Sequence, residues 1–249
     1  MKRIMVITGV LATFLISSLT VLGQSQSRSD VLNEIQAKRT ELVTLEKSFL
    51  DPSEEDRVRY AAFLDQPGTG LIRLLPREKF DSEVYKNNKR TITMRGGGSY
   101  YSFLRNTQEY GYGSDISLDS GQLHTGFAGA DYGMLTDLGD IPLESVGAET
   151  PAVTLFAAYQ PPQQEQLARK EARRIAQGSE LEGLPVKRSV PLKLNSTFLL
   201  RSINYSSSDV LVAFKVVRID SDGSATILWK LLKKYGKPKF IRAETVDVG

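Results

Sequence analysis

The stretch that decides the fold is TFLLRSINYSSSDVLVAFKVVRIDSDGSATILWKLL, residues 197–232. Three runs rich in β-branched and aromatic residues follow one another along it: 197–203, 210–219 and 224–232. Such runs between polar turn segments are typical of antiparallel strands, and Asp222-Gly223 favours a hairpin because glycine accepts a positive φ. The pattern predicts a three-stranded β-meander over 196–233. Its segment 210–214 is apolar on both faces, which indicates a central strand covered on both sides.

Upstream of the meander, residues 163–177 have the period of an amphipathic helix that ends at Gly178. The apolar positions expected to face the core are Leu167, Ala172, Ile175 and Ala176. Residues 151–159 are almost wholly apolar and are followed by two prolines, which predicts a buried strand.

The middle of the chain, residues 96–139, holds ten of the 20 glycines and five of the ten tyrosines. Glycine at this density indicates tight turns and close backbone approach rather than long helices. Short strands are expected between the turns, at 100–105, 116–118 and 123–127.

Two helices and two strands are predicted before this middle segment. Residues 29–49 carry one apolar stripe at helical spacing, formed by Leu32, Ile35, Leu42, Leu45 and Phe49. A second helix is expected from Asp51, as its N-cap, to Leu64, with Val58 facing inward. Strands are expected at 71–75 and 91–95.

Residues 1–23 have the composition of a secretory signal: a basic start at Lys2 and Arg3, an apolar run and a polar exit. We predict cleavage before Gln24 and export to the periplasm or the extracellular space. The alternative is an uncleaved membrane anchor, because the apolar run approaches the roughly 20 residues that span a bilayer.

These segments together predict an α+β fold with a mainly antiparallel β body. The expected domain limits are a signal at 1–23, a helix or stalk at 24–50, one α+β domain at 51–242 and a tail at 243–249. The helix at 29–49 could also join copies of the chain into an oligomer.

The composition excludes several kinds of chemistry. The chain has no cysteine, so disulfides, thiolate metal sites and thiol catalysis are impossible, and their absence fits a bacterial envelope protein. His124 is the only histidine, which rules out metal sites with several histidines. The net charge of +3 does not by itself indicate a partner.

Charge is distributed unevenly along the chain. Residues 106–168 contain nine acidic residues and no lysine or arginine, whereas residues 184–242 contain twelve basic and three acidic residues. The two segments could lie side by side and neutralise each other. Alternatively, the basic C-terminal segment could bind envelope polysaccharide or another anionic surface. Nucleic acid is not expected as a partner of an exported chain.

The candidate binding residues lie in the middle segment: Tyr100, Tyr101, Tyr110, Tyr112, Asp115, Asp119 and Asp131. The tyrosines could stack on a sugar or a peptide, or they could simply pack in the core. No cofactor is predicted. Calcium is the alternative, because residues 115–121 place oxygen-bearing side chains at alternate positions before a glycine.

The function expected from these features is that of an exported, non-catalytic binding or structural protein of a bacterial cell envelope. The alternative is a secreted hydrolase that acts on carbohydrate through carboxylates between residues 115 and 144, since a pair of acids suffices for glycoside hydrolysis.

Overall fold

The structure, a computed structural model, describes residues 27–81, 91–111 and 113–241. The predicted signal at 1–23 and the tail at 243–249 lie outside the described residues. The chain divides into two compact units, Met1–Glu41 and Leu42–Gly249. The α+β class is confirmed, with antiparallel sheets and helices towards the N-terminus.

The helices are α1 (Arg28–Leu50), α2 (Glu54–Arg59), α3 (Ala61–Leu64), α4 (Arg77–Phe80), α5 (Pro151–Ala158) and α6 (Glu165–Ala176). The strands are β1 (Thr69–Leu74), β2 (Tyr100–Tyr101), β3 (Ile116–Asp119), β4 (Gln122–His124), β5 (Tyr132–Gly139), β6 (Ser179–Leu181), β7 (Leu184–Val186), β8 (Ser189–Pro191), β9 (Thr197–Asn204), β10 (Ser208–Ile219) and β11 (Ala225–Lys234). A single 3-10 turn spans Leu143–Ser145.

The predicted meander is confirmed as β9, β10 and β11, which form the centre of a five-stranded antiparallel sheet in the order β1-β11-β10-β9-β5. The turn between β10 and β11 is closed by a hydrogen bond from the Asp220 amide to the Ser224 carbonyl, 2.8 Å. Gly223 adopts φ +86° there, which a side chain would disfavour.

The five-stranded sheet is covered on both faces, as the apolar pattern of 210–214 predicted. Leu211 and Ala213 face a core that contains Phe156 of α5 and Ile175 of α6. Val210, Val212 and Phe214 face the opposite core, which is shared with a four-stranded sheet in the order β2-β3-β4-β8. Alternate residues of one strand therefore anchor two separate cores.

Several predicted elements differ in the structure. The strands expected at 100–105 and 123–127 are shorter, at Tyr100–Tyr101 and Gln122–His124. Residues 151–159 form helix α5 and not a strand, because an apolar run does not reveal its own period and Pro151 favours a first helical turn. The strand expected at 91–95 is reduced to a single bridge between Asp81 and Ile92. The helix expected from Asp51 to Leu64 is two short helices.

The N-cap of the first short helix lies two residues later than predicted. Ser53, and not Asp51, is the N-cap, since its hydroxyl accepts a hydrogen bond from the Asp56 amide at 3.2 Å. Val58 is 68% exposed, so its predicted inward orientation is wrong.

Helix α6 was predicted at nearly its observed limits, but its buried face differs from the expected one. Ala168 and Ile175 are buried, whereas Leu167 is 49% exposed and Ala176 is also exposed. The apolar positions of α6 therefore cover the core with small side chains, and longer basic side chains occupy the neighbouring face.

The apolar stripe of α1 is largely exposed in the single chain. Its exposed members are Leu32, Ile35, Leu42, Leu45 and Phe49. The C-terminal end of the helix is attached to neighbouring residues, because Leu50 is buried and Glu46 accepts a hydrogen bond from the Thr93 hydroxyl at 2.8 Å. Self-association through α1 stays a prediction.

Candidate functional site

A cleft lined by arginines lies between helix α6 and the glycine-rich loop that leads into β5. We call it the arginine cleft. It has a volume of about 250 Å³, and its lining residues are Gly126, Phe127, Ala128, Gly129, Asp131, Tyr132, Gly133, Arg169, Ala172, Arg173, Ala176 and Arg188. Three guanidinium groups thus line one concave surface, which is a suitable setting for an anion.

Helix α6 supplies two of these arginines because of its periodicity. Arg169 and Arg173 are four residues apart and therefore lie on the same helix face, while Ala168 and Ile175 bury the adjacent face in the core. Arg169 is paired with Glu165 one turn earlier at 2.6 Å. Arg173 is exposed, and its guanidinium makes no hydrogen bond or ion pair with another described residue.

Arg188 reaches the cleft from the segment between β7 and β8. Its guanidinium donates to the backbone carbonyls of Thr125 at 3.1 Å and Gly126 at 2.7 Å. The Thr125 amide in turn donates to the Arg188 carbonyl at 3.1 Å. These partners are neutral, so they hold the side chain in place without cancelling its charge.

Gly133 of β5 allows the loop to lie directly against the strand. A Cβ atom at this position would be 2.2 Å from the Thr125 hydroxyl oxygen, which is an impossible contact. The absence of a side chain at Gly133 therefore sets the position of Thr125 and of the carbonyl groups that bind Arg188.

Asp131 is the one carboxylate that lines the arginine cleft among the described residues. It is half-buried, and its carboxylate accepts a hydrogen bond from the Tyr205 amide at 2.8 Å. Desolvation raises the pKa of Asp131, and this hydrogen bond opposes the rise.

A second depression lies next to the cleft and shares part of its lining. We call it the tyrosine hollow. It has a volume of about 220 Å³ and is lined by Arg95, Tyr110, Gly111, Gly113, Ser114, Phe127, Ala128, Asp131 and Asn204. Phe127, Ala128 and Asp131 belong to both depressions and form the ridge between them.

Two of the predicted tyrosines contribute to the tyrosine hollow in different ways. Tyr110 lines it, whereas Tyr100 is buried behind it and contacts both lining rings, with centroids 4.5 Å from Tyr110 and 5.1 Å from Phe127. Tyr101 is buried in the core, where its ring contacts Phe103 at 5.2 Å. Tyr112 lies outside the described residues.

Asp115 is fully buried and supports the hollow from behind. Its carboxylate accepts hydrogen bonds from the Phe103 amide at 2.8 Å and from the Asn204 side-chain amide at 3.1 Å. Burial raises the pKa of Asp115 to about 6, against the opposing effect of these hydrogen bonds. Asp115 therefore positions Asn204, a lining residue, and does not itself face the solvent.

Asp119 lies elsewhere. Its carboxylate is 3.7 Å from the guanidinium of Arg77 and accepts a hydrogen bond from the Ser120 hydroxyl. In the turn between β10 and β11, Asp220 and Asp222 both pair with Arg73. No group of three acidic or histidine side chains within the described ranges could hold a metal ion, so the structure gives no support to calcium at residues 115–121.

The acidic and basic segments of the chain do meet in the structure. Lys215 pairs with Asp140 at 2.7 Å, Lys193 with Asp137 at 3.8 Å, and Lys230 donates to the Glu144 carbonyl at 3.1 Å. These contacts favour mutual neutralisation over a free basic surface in this part of the sheet.

The four arginines of the two depressions were missed as site residues in the sequence. The spacing of Arg169 and Arg173 on a predicted helix could have indicated a shared face. Arg95 and Arg188 join them only through the fold, because they come from segments that are distant in sequence.

Comparison of the chain with protein families, with curated proteins and with solved structures found no match. Among the described residues, no helix combines the length and the apolar character that crossing a membrane requires.

Proposed function

We propose that this chain is an exported, non-catalytic binding protein of a bacterial cell envelope that holds an anionic ligand in the arginine cleft. The observation that carries the proposal is the convergence of Arg169, Arg173 and Arg188 on one concave surface. The planar guanidinium group donates two parallel hydrogen bonds to a carboxylate, a sulfate or a phosphate, so a ligand of this class matches the cleft.

The balance of charge within the cleft supports an anion over a cation. Glu165 compensates Arg169, whereas Arg188 is bonded to neutral carbonyls and Arg173 is open to the ligand. Asp131 is the only carboxylate among the described lining residues of the cleft, and desolvation raises its pKa.

Export rests on the composition of residues 1–23, which is that of a secretory signal. The rival function, a carboxylate-dependent hydrolase, needs two acids that face one substrate. Of the acids between residues 115 and 144, Asp131 alone lines the described parts of the cleft and the hollow. This arrangement supports binding rather than hydrolysis.

The test is calorimetric titration of the mature chain with inorganic phosphate, with sulfate and with glucuronate. We expect at least one of these anions to bind, and we expect Arg173→Gln to weaken that binding by about tenfold, the typical effect of one lost charge-assisted hydrogen bond. Lys170→Gln is the matched control, because Lys170 is an exposed cation on the same helix that does not line the cleft.

Two results would contradict the proposal. One is equal weakening by Lys170→Gln and Arg173→Gln, which would indicate a general effect of charge. The other is hydrolysis of a glycan by the wild-type chain that Asp131→Ala abolishes while the circular dichroism spectrum stays unchanged, which would favour the hydrolase.

A further inference from the structure

We infer that the ligand is a linear acidic polysaccharide that extends from the arginine cleft across the ridge into the tyrosine hollow. This inference rests on the proposed function and specifies its ligand class. It follows from three features of the two depressions: their continuity, the distribution of cations between them, and the aromatic rings of the hollow.

The first feature is continuity. Phe127, Ala128 and Asp131 line both depressions, so a chain molecule leaving one enters the other without crossing a separate surface. On the ridge, Ala128 and the adjoining Gly129 are small and exposed, so their side chains present no barrier at that point. Each depression has a volume of about 220 to 250 Å³, enough for a small cyclic group but not for a long polymer.

The second feature is a cation on each side of the ridge. Arg169, Arg173 and Arg188 lie in the cleft, whereas Arg95 lines the hollow, is exposed and makes no side-chain hydrogen bond or ion pair with another described residue. A third depression shares Arg95 and Tyr110 with the hollow and is also lined by Arg105 and by one acidic residue, Glu109. Cations in separate depressions along one path match a ligand whose negative charges repeat. A single small anion would contact the cations of only one depression.

The third feature is the aromatic surface. Tyr110 and Phe127 are half-buried, and both rings are supported from behind by the buried ring of Tyr100. A supported ring with an open face can pack against the apolar face of a sugar ring at little entropic cost. Cations that alternate with such rings therefore favour a sugar polymer with acidic groups.

The experiment compares galacturonate with its linear oligomers, using the trimer and the hexamer, by calorimetric titration. In the wild-type chain we expect affinity to rise from monomer to hexamer by about tenfold or more, since a second subsite adds to the first. Arg95→Gln and Tyr110→Ala should remove this gain, so that monomer and hexamer bind with similar affinity. Arg173→Gln should weaken binding of every length.

Controls separate a lost contact from a lost fold. Tyr110→Phe retains the ring and should keep the gain with length, and Lys170→Gln should behave as the wild type. A neutral galactan hexamer should not compete with the acidic hexamer.

The outcomes distinguish this inference from the proposed function. Monomer binding with no gain from length, or an equal effect of Tyr110→Ala on monomer and hexamer, would overturn the extended site but leave anion binding intact. Absence of binding by every anion tested would overturn both. Tighter binding of a single-stranded DNA oligomer of equal charge, lost in Arg95→Gln, would replace the polysaccharide by nucleic acid.

Discussion

At the scale of single residues, Asp115 and Asp131 show that one residue type in one segment can serve two purposes. Both were candidates because they lie among glycines and tyrosines. Asp131 lines the arginine cleft, whereas Asp115 is buried and binds the Phe103 amide and Asn204. The sequence pattern indicated the right neighbourhood, but burial, which depends on the folded chain, decided each role.

The raised pKa of Asp115 makes stability depend on pH. The folded chain holds this proton up to about pH 6, whereas the unfolded chain releases it near the ordinary aspartate pKa of 3.8. Protonation therefore favours the folded state, and the free energy of unfolding should fall by up to about 3 kcal/mol as pH rises through this window.

Asp115→Asn should remove that fall. The measurement is urea unfolding of the wild type and the variant at about pH 4 and about pH 7. The change in the free energy of unfolding between the two pH values is then compared for the two proteins. Asp65→Asn, at an exposed acid, should retain the wild-type difference. An unchanged difference in Asp115→Asn would contradict the prediction.

The arginines illustrate the opposite limit of sequence reasoning. Arg169 and Arg173 could have been grouped from their spacing on a predicted helix. Arg188 could not, because it enters the cleft through hydrogen bonds to the carbonyls of Thr125 and Gly126, more than 60 residues earlier in the chain. Contacts of this kind leave no periodic signal.

At the scale of elements, the local or non-local origin of each element decided whether it could be predicted. The meander is formed by strands that follow one another in the sequence and by a tight turn, so the local sequence pattern was sufficient to predict it. Strand β5 pairs with β9 across a long connection that contains α5 and α6, and it was not predicted as a strand. The strand predicted in place of helix α5 was wrong because this apolar run has no clear period.

Strand β5 also yields a prediction, through Gly133. Gly133→Ala should displace Thr125, lower stability by about 1 to 3 kcal/mol as expected for overpacking, and weaken anion binding through Arg188. The measurements are urea unfolding and titration with the anion found to bind the wild type.

The control for Gly133→Ala is Gly147→Ala, since a Cβ atom at Gly147 would meet nothing within 4 Å. The double variant Gly133→Ala/Thr125→Ala should recover part of the loss, because it removes the two atoms of Thr125 that would lie closest to the new Cβ atom. A double variant as unstable as Gly133→Ala alone would show that Thr125 is not the cause.

At the scale of the whole molecule, the +3 net charge conceals two depressions that carry arginines. Two ion pairs join the acidic and basic segments, Lys215 with Asp140 and Lys193 with Asp137. The arginine cleft combines Arg188 of the basic segment with Arg169 and Arg173, which lie between the two segments, so the linear charge blocks alone do not locate the cleft.

Export is a property of the whole chain and has its own test. In bacterial cells that express the full sequence, we expect the chain in the periplasmic or extracellular fraction, beginning at Gln24. Intact-mass measurement and N-terminal sequencing of each fraction provide the check. A full-length chain in the membrane fraction would indicate the anchor, and a full-length chain in the cytosol would refute export.

If the chain is exported as proposed, the pairing of β1 with β11 sets the order in which the sheet can assemble. Thr69 pairs with Lys230 and Leu74 with Ala225. The first strand of the sheet in chain order therefore pairs with the last. A nascent chain that crosses a translocation pore N-terminus first must leave β1 without its partner until nearly all of it has emerged. The edge strand β1 can therefore join the sheet only after β11 has emerged.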